Sequence, residues 1–194
     1  MKLKPYAVIA FATVALTVVP ALAQVEISRD GRPERIFHMV QGMNNQDFHF
    51  LKTAAAINMF EIQSSELALQ KSSDPFVTEY AKEMITDHQM SLVELKGIAA
   101  NKGIELPQVL PNDLLHALMH LENQTGSTFD AAYQNVQRNG HADASEVFVN
   151  EIEGGKDEDV KAFSVKTLPT VDMHYRMMLN KETMMGATKM SHGD

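Results

Sequence analysis

Cysteine and tryptophan are absent from the 194-residue sequence, and aromatic residues make up only 7% of it. Without cysteine, neither a disulfide framework nor thiol catalysis is possible. Clusters of Lys and Arg are missing as well, and the formal net charge is -8. Because nucleic acids are bound mainly by such basic clusters, the composition indicates that nucleic acid is not a partner.

The signatures of several common catalytic sites are also missing. The sequence contains no Gly-x-Ser-x-Gly elbow, phosphate-binding loop or dinucleotide fingerprint. A di-iron oxidase needs a Glu-x-x-His pair on each of two helices. Here Glu83 lies five residues before His88, and Glu146 lies five residues after His141. The sequence therefore favours a protein without enzymatic activity, and a redox enzyme with fewer carboxylates stays an alternative.

The N-terminus has the features of an export signal. Lys2 and Lys4 precede an apolar stretch over residues 7–19, and Ala21-Leu22-Ala23 forms a small-residue cleavage motif before Gln24. This order is typical of a secretory signal peptide, and the apolar stretch is shorter than the ~20 residues that span a bilayer. We expect removal of residues 1–24 and export to the periplasm, free or attached to the envelope. The mature chain would have a net charge near -10 and no transmembrane segment.

Four long helical patterns follow a leader over residues 25–46, which lacks steady periodicity and is expected to be extended. Start and stop signals give their bounds as 47–71, 75–102, 127–153 and 157–182. Asp74-Pro75 is a strong helix start, and Ser127 or Thr128 can cap the third long helix. Asn112 can cap a short helix over residues 113–124. Pro169 should end or kink the last helix because it lacks an N–H donor.

These patterns predict an all-α fold, a four-helix bundle over residues 47–181 with one apolar stripe per helix. The connection over residues 103–126 is long and carries the short extra helix, as the crossover of a ferritin-like bundle does. We expect residues 182–194 to form a flexible, Met-rich tail.

Each long helix offers one ionisable residue on its apolar stripe. At about 100° per residue, Glu61 and His88 fall within about 40° of the apolar residues of the first two helices. His141 and His174 project onto the apolar stripes of the other two, and Asp87 lies at the edge of the second stripe. Because an unpaired buried charge is costly, these groups should be neutral, paired with one another, or bound to a cation.

Three imidazoles and a carboxylate form a donor set for a transition metal, with Zn, Fe, Mn and Cu all suited to it. We predict that Glu61, His88, His141 and His174 bind the ion and that Asp87 orients one imidazole from behind. The alternative is a metal-free network in which the same residues are hydrogen-bonded and salt-bridged.

Several motifs occur in an order that resembles a known bacterial family. They are FEIQSSELALQ around Glu61, YAKEMITDHQMSLVELKGIAANKGIELP over residues 80–107, Gly126 with Phe129-Asp130 and Tyr133, His141, and LPTVDMH ending at His174. Over residues 47–180 the chain resembles the ferritin-like "domain of unknown function 4142" (DUF4142) proteins, which are described as exported or outer-membrane proteins.

The resemblance implies a ferritin-like helical bundle but no settled activity. The positions that it carries over are Glu61, Asp87, His88, Asp130, His141, Pro169 and His174. The chain departs from the pattern at Asn139-Gly140, where the family more often has Asp or another helix former. Glycine there disfavours the helix by about 1 kcal/mol relative to alanine.

The C-terminal segment is rich in possible sulfur ligands. Six methionines lie within the last 22 residues: Met173, Met177, Met178, Met184, Met185 and Met190. Thioethers favour Cu(I), so this segment could bind copper. In the alternative interpretation, the first three methionines pack in the bundle and the last three lie on the tail.

Together these observations predict a periplasmic, ferritin-like protein that binds a transition-metal ion for storage or stress protection. The alternatives are a non-enzymatic envelope protein with a metal-free polar core, and a copper-binding protein that uses its Met-rich C-terminus. The sequence leaves protein partners and self-association open.

Overall fold

The computed structural model describes the backbone of residues 42–191 and the side chains of residues 42–181. The predicted signal peptide, most of the predicted leader and residues 192–194 lie outside this range. Within it the chain forms α-helices and no strands, so the predicted all-α fold is confirmed. The helices are α1 (Asn45–Lys71), α2 (Pro75–Asn101), α3 (Asn112–Glu122), α4 (Gly126–Gly154) and α5 (Glu158–Ser191).

The four long helices form two hairpins, since α1 packs most extensively on α2 and α4 on α5. Three-residue connections join the helices of each hairpin, which makes them antiparallel neighbours. Between α2 and α4 the chain crosses over through residues 102–125, which include the short helix α3. This is the predicted ferritin-like bundle with an extra helix in its long connection.

Capping residues decide where the helices begin. Asn44 and Asp47 form a capping box at α1, which therefore starts two residues before the predicted position. At α2 the Asp74 carboxylate accepts hydrogen bonds from two backbone N–H groups, and Pro75 takes the first helical position, as predicted. Asp157 likewise accepts from the N–H groups of residues 159 and 160 at the start of α5.

Two predicted caps are one to three residues off. Pro111 rather than Asn112 occupies the cap of α3, and Thr125 rather than Ser127 or Thr128 occupies the cap of α4. At α4 the chain enters the helix through Gly126, whose φ of 55° is readily adopted only by glycine. Gly126, predicted to lie at the end of the long connection, is thus the first helical residue.

Of the two predicted effects of Pro169, an end or a kink of the last helix, the end is wrong, because helix α5 continues through this residue. Proline in a helix interior costs about 3 kcal/mol through its missing hydrogen bond and ring clash. Buried residues on both sides of it, Phe163 before and Val171 and Met178 after, hold the two parts in one core. The helical backbone runs on to Ser191 and includes most of the segment predicted as a separate tail.

The core consists of two large apolar clusters with a polar layer between them. One is built around Phe50, Leu95 and Phe148. The other is built around Tyr80 and Tyr133, together with Met84, Phe129 and Met178. No helix within the described residues combines the length and apolarity that a membrane span would require.

Candidate metal centre

The polar layer contains the four residues that the sequence placed on the apolar stripes. Helix α1 contributes Glu61, α2 His88, α4 His141 and α5 His174. Each side chain is at most 6% exposed. The helical periodicity therefore predicted correctly that one ionisable side chain of each long helix faces the core.

The three imidazoles come together in the middle of the bundle. The distances between their ring centroids are 5.7 Å for His88 and His141, 5.6 Å for His88 and His174, and 5.2 Å for His141 and His174. One ring nitrogen from each lies within 4.8 Å of one from each of the others. Three helices thus bring three nitrogen donors to one point.

Each imidazole is anchored through one of its nitrogens to an oxygen behind it. His88 Nδ1 lies 2.8 Å from Asn58 Oδ1, and His141 Nδ1 lies 2.9 Å from the carbonyl oxygen of Gln137. His174 Nε2 lies 3.0 Å from Asp87 Oδ2. Because all three oxygens are acceptors, each of these nitrogens carries the proton and donates it.

The remaining nitrogens are therefore lone-pair acceptors. They are Nε2 of His88, Nε2 of His141 and Nδ1 of His174, and all three are buried without a hydrogen-bond partner. A buried polar atom left unpaired costs about 1–3 kcal/mol. Metal-binding histidines in proteins show the same arrangement. One ring nitrogen donates its proton to an oxygen acceptor, and the other ring nitrogen is left to bind the ion.

The cavity keeps the histidines neutral. Burial lowers the pKa of all three, and for His88 the neighbouring His141 and His174 lower it further, well below its usual range. Glu61 opposes this effect at His141, and Asp87 opposes it at His174. A metal ion binds the unprotonated imidazole, so the rings are in the binding form at neutral pH.

Glu61 occupies a different place in the same cavity. Its carboxylate does not belong to the group of donor atoms that lie within 4.8 Å of one another. Burial raises the pKa of Glu61, while the nearby His141 and a hydrogen bond with Gln137 act in the opposite direction. Its Oε2 atom is buried and has no hydrogen-bond partner. The carboxyl group thus stands beside the three rings with one oxygen available.

A small cavity of about 30 Å³ lies between these groups. Polar residues line it together with Phe148 and Val171 of the first apolar cluster. On the opposite side, the Tyr80 ring of the second cluster lies 6.4 Å from His141 and 6.3 Å from His174. This space is large enough for one ion with a water molecule and too small for an organic substrate.

Asp87 lies behind His174 and is hydrogen-bonded to it; the sequence predicted such a contact with one imidazole without naming which. Its side chain is 24% exposed, so it links the buried ring to the surface. Glu83 lies one helical turn before it, and Glu83, Asp87 and His174 each place one donor atom within 4.8 Å of the others. Burial, with repulsion from Asp87 and Glu79, raises the pKa of Glu83.

Sequence reasoning missed Asn58 and the carbonyl of Gln137, which hold two of the three rings. Asn58 is only 3% exposed, and its Nδ2 donates to the Ala54 carbonyl, which turns its Oδ1 toward His88. Asn58 could have been predicted from the sequence, because it is an amide residue on the apolar stripe of the first helix, three residues before Glu61. The backbone carbonyl carries no signal in the sequence, because every residue has one.

Two other residues of the family pattern lie outside the cavity wall. Asp130 is half-buried on α4, with its Oδ1 buried and without a hydrogen-bond partner. Pro169 lies in α5, next to Thr170, which does line the cavity. Of the methionines, Met178 is 2% exposed and packs in the second apolar cluster with Met177, whereas Met173 is 41% exposed.

Comparison with known proteins gives a family and a fold. The model of a family described as "Domain of unknown function (DUF4142)" matches residues 37–180. Among solved structures, the chain is similar to the "Crystal structure of DUF305 fragment from Deinococcus radiodurans", with a TM-score of 0.63 and 10% sequence identity. That similarity covers 71% of this chain and 95% of the other, and it shows the fold alone. No curated protein matches the chain.

Proposed function

The chain belongs to the DUF4142 family, and on that premise we propose that it binds one transition-metal ion through His88, His141 and His174. Glu61 serves as a fourth ligand or as the acceptor for a water molecule on the ion. Asp87 and Asn58 hold two of the rings in their binding orientation.

The observation that supports this proposal is the convergence of three buried lone pairs. Each of the three histidines has one buried nitrogen without a hydrogen-bond donor, and their side chains place ring nitrogens within 4.8 Å of one another. An ion would satisfy all three at once and would turn a repulsive arrangement into a stabilising one. Imidazole ligands suit zinc, copper and iron, and the Glu61 carboxylate extends this range to manganese.

The role that follows is binding, storage or protection against metal stress. The cavity holds an ion and a water molecule but no organic substrate, which fits an ion-binding protein better than an enzyme of metabolism. We also propose that the protein is exported to the periplasm, on the strength of the N-terminal sequence with Lys2, Lys4 and Ala21-Leu22-Ala23. N-terminal sequencing of protein from the periplasmic fraction tests this export.

Metal analysis of protein purified without an affinity tag tests the binding. We expect near-stoichiometric metal in the wild type and its loss in the double variant His88→Ala, His141→Ala. His116 and His120 are exposed on α3, so the double variant His116→Ala, His120→Ala is the matched control and should keep the metal. A metal-free wild type whose melting temperature does not change when Zn²⁺, Cu²⁺, Fe²⁺ or Mn²⁺ is added would contradict the proposal.

A metal-free structural role is the second candidate, and a specific network favours it. Ser65 and Tyr133 are hydrogen-bonded at 2.8 Å, and Gln137 contacts Ser64 and Tyr80 in the same buried region. Such a network can fix the register of the helices without a metal ion. The protein would then be an envelope protein whose surface binds another protein. In that case the histidine variants would lower stability and the metal content would not change.

A further inference from the structure

A groove on the surface lies directly outside the candidate metal centre. It has a volume of about 400 Å³ and runs between α1, α3 and α4. Apolar residues such as Phe60, Leu114 and Val147 form most of its floor, and the exposed residues Asn135, Asn139 and Asp143 stand along α4. The short helix α3 forms one of its walls.

The groove and the buried cavity share four residues. Ile57 and Glu61 of α1 and Gly140 and Ala144 of α4 line both spaces. These four residues therefore separate the groove from the three histidines. The partition is thin because alanine and glycine contribute almost no side chain on the α4 side.

Gly140 contributes no side chain to this partition. Its φ is not positive, so the helical backbone does not require glycine at this position, where glycine is less favourable than alanine. A Cβ atom placed on it would have Glu61 Oε1 as its nearest neighbour, at 3.6 Å. A side chain at position 140 would therefore point toward the Glu61 carboxyl group.

Two carboxyl groups lie between the groove and the histidines. Asp143 is exposed at the groove, and Glu61 is buried in the partition and has one oxygen without a partner. The lone pairs of the three histidines lie beyond it. A cation that moves inward would meet an exposed carboxylate, then a buried carboxyl group, then three neutral nitrogens.

We propose that metal ions, with the small ligands they exchange, reach the buried centre from this groove by passing between Ile57 and Gly140. Glu61 is the last group that contacts the ion before the imidazoles. This access route rests on the proposed metal binding. Between α2 and α5 the cavity is lined by the half-buried residues Ser91, Thr167 and Thr170, and Asp87 is hydrogen-bonded to His174 there.

The rate of metal exchange tests the route. Apo-protein is mixed with Co²⁺, whose visible absorption reports binding, and Co²⁺ release is followed after addition of excess EDTA. We expect Gly140→Leu to slow both uptake and release about tenfold while the Kd changes less than about threefold, because the route is narrowed and the ligands stay. Gly97 is exposed on α2 with open space around it, so Gly97→Leu is the matched control and should keep wild-type rates.

A widening variant gives the opposite prediction. Ile57→Ala should accelerate uptake and release several-fold. The control is Ile98→Ala, which removes a similar half-buried side chain from α2 beside the first apolar cluster and lines neither space. Equal acceleration by both variants would mean that general loosening of the bundle is responsible, and it would overturn the route.

Folding and binding are checked separately. Far-UV circular dichroism shows whether Gly140→Leu folds. If it does not, Gly140→Ala replaces it, because a Cβ atom at this position would make an ordinary contact. Metal uptake and release should then be slowed less than by leucine. A folded Gly140 variant with wild-type Kd and wild-type rates would overturn the route and leave the metal site intact. A wild type that binds no Co²⁺ or other metal would instead refute the proposed function.

Discussion

Asp87 Oδ2 accepts a hydrogen bond from His174 Nε2 at 3.0 Å across the contact between α2 and α5. His174 is 1% exposed and Asp87 is partly exposed, so the carboxylate fixes the buried ring from the surface side. Proton donation through Nε2 leaves Nδ1 of His174 as the nitrogen with the lone pair. The chemistry of the cavity is thus set in part by Asp87, which acts through the His174 ring.

Replacement of Asp87 by alanine should weaken metal binding. Without the acceptor, the His174 ring can turn and exchange its proton between the two nitrogens. Loss of such a supporting group typically reduces metal affinity about 10–100-fold. Competition with a chelator of known affinity measures the change, and Asp113→Ala, at an exposed position of α3, should leave the Kd unaltered. Equal affinity in wild type and Asp87→Ala would refute this supporting role.

Replacement of Asn58 by alanine should destabilise the apo-protein. Asn58 Oδ1 accepts the proton of His88 Nδ1 in a buried place, so the variant leaves a donor unpaired at a cost of about 1–3 kcal/mol. Urea unfolding of the metal-free protein measures the free energy. Asn123→Ala is the control, because Asn123 makes its side-chain hydrogen bond to the Met119 carbonyl on the surface. The free energy of unfolding of Asn123→Ala should lie within about 0.5 kcal/mol of that of the wild type.

Glu151 should make the stability depend on pH. Burial, and the hydrogen bond and charge of Asp47 beside it, raise the pKa of Glu151 to about 8. Both carboxyl groups are fully buried, and Asp47 Oδ1 accepts hydrogen bonds from the backbone N–H groups of Lys156 and Asp157. Glu151 is therefore protonated at neutral pH, which avoids a second buried negative charge beside Asp47.

The sign of this effect follows from proton binding. Between the unfolded pKa of Glu151, near 4.5, and the folded pKa of about 8, the folded protein binds more protons than the unfolded chain. The free energy of unfolding should therefore fall as the pH rises through this window and level off above it. Glu151→Gln removes this dependence and should be more stable than wild type at pH 9 by up to about 5 kcal/mol, at about 1.4 kcal/mol per pH unit over this window.

Denaturant unfolding at pH 5, 7 and 9 measures this difference. Glu153→Gln removes an exposed carboxylate from the same helix and should keep the wild-type dependence on pH. A Glu151→Gln variant whose stability falls with pH as steeply as the wild type would show that Glu151 does not carry this proton.

Two neighbouring glycines at the C-terminal end of α4 should respond differently to alanine. A Cβ atom on Gly155 would collide with Glu151 Oε1 and lie 2.7 Å from the Glu151 carbonyl oxygen, a distance that real Cβ atoms do not show. The carbonyl belongs to the helix and cannot turn away, so we expect Gly155→Ala to lower stability by about 1–3 kcal/mol. Thermal unfolding measures the loss.

Gly154 is the matched control for this comparison. A Cβ there would have only Gln46 Cγ within reach, at 3.7 Å, which is an ordinary contact at the end of a flexible side chain. Gly154→Ala should therefore be neutral or slightly stabilising. Equal melting temperatures for the two variants would show that the chain after α4 moves aside without loss.

Much of the fold could be predicted because its signals are local. Asp74-Pro75 and Asp157 mark helix starts through hydrogen bonds within a few residues, and the structure places both as predicted. A helix end at Pro169 was one of two predicted outcomes because the penalty of proline is local, whereas the burial of Phe163 and Val171 that offsets it is tertiary. Thr125 was missed as the cap of α4 because the positive φ of Gly126, which starts the helix, cannot be seen in the sequence.

Periodicity also identified the residues of the candidate site, but not their arrangement. An angle of about 100° per residue tells which side chains face inward, and it does so for Glu61 and the three histidines. It carries no information on whether side chains from different helices lie at the same level of the bundle. That level depends on how the helices pack. The packing brings ring nitrogens of the three histidines within 4.8 Å of one another, and the Glu61 carboxylate lies outside this group.

The sequence alone determined that this chain folds as helices, that four of them are long, and that each turns one ionisable group inward, because hydrogen-bonded caps and a helical period act over short distances. Only the tertiary structure decided which nitrogen of each histidine is free, since that choice depends on Asn58, Gln137 and Asp87, which are 30, 4 and 87 residues away from their partners. It also decided that Gly140 stands against Glu61, between the cavity and the groove that share both residues.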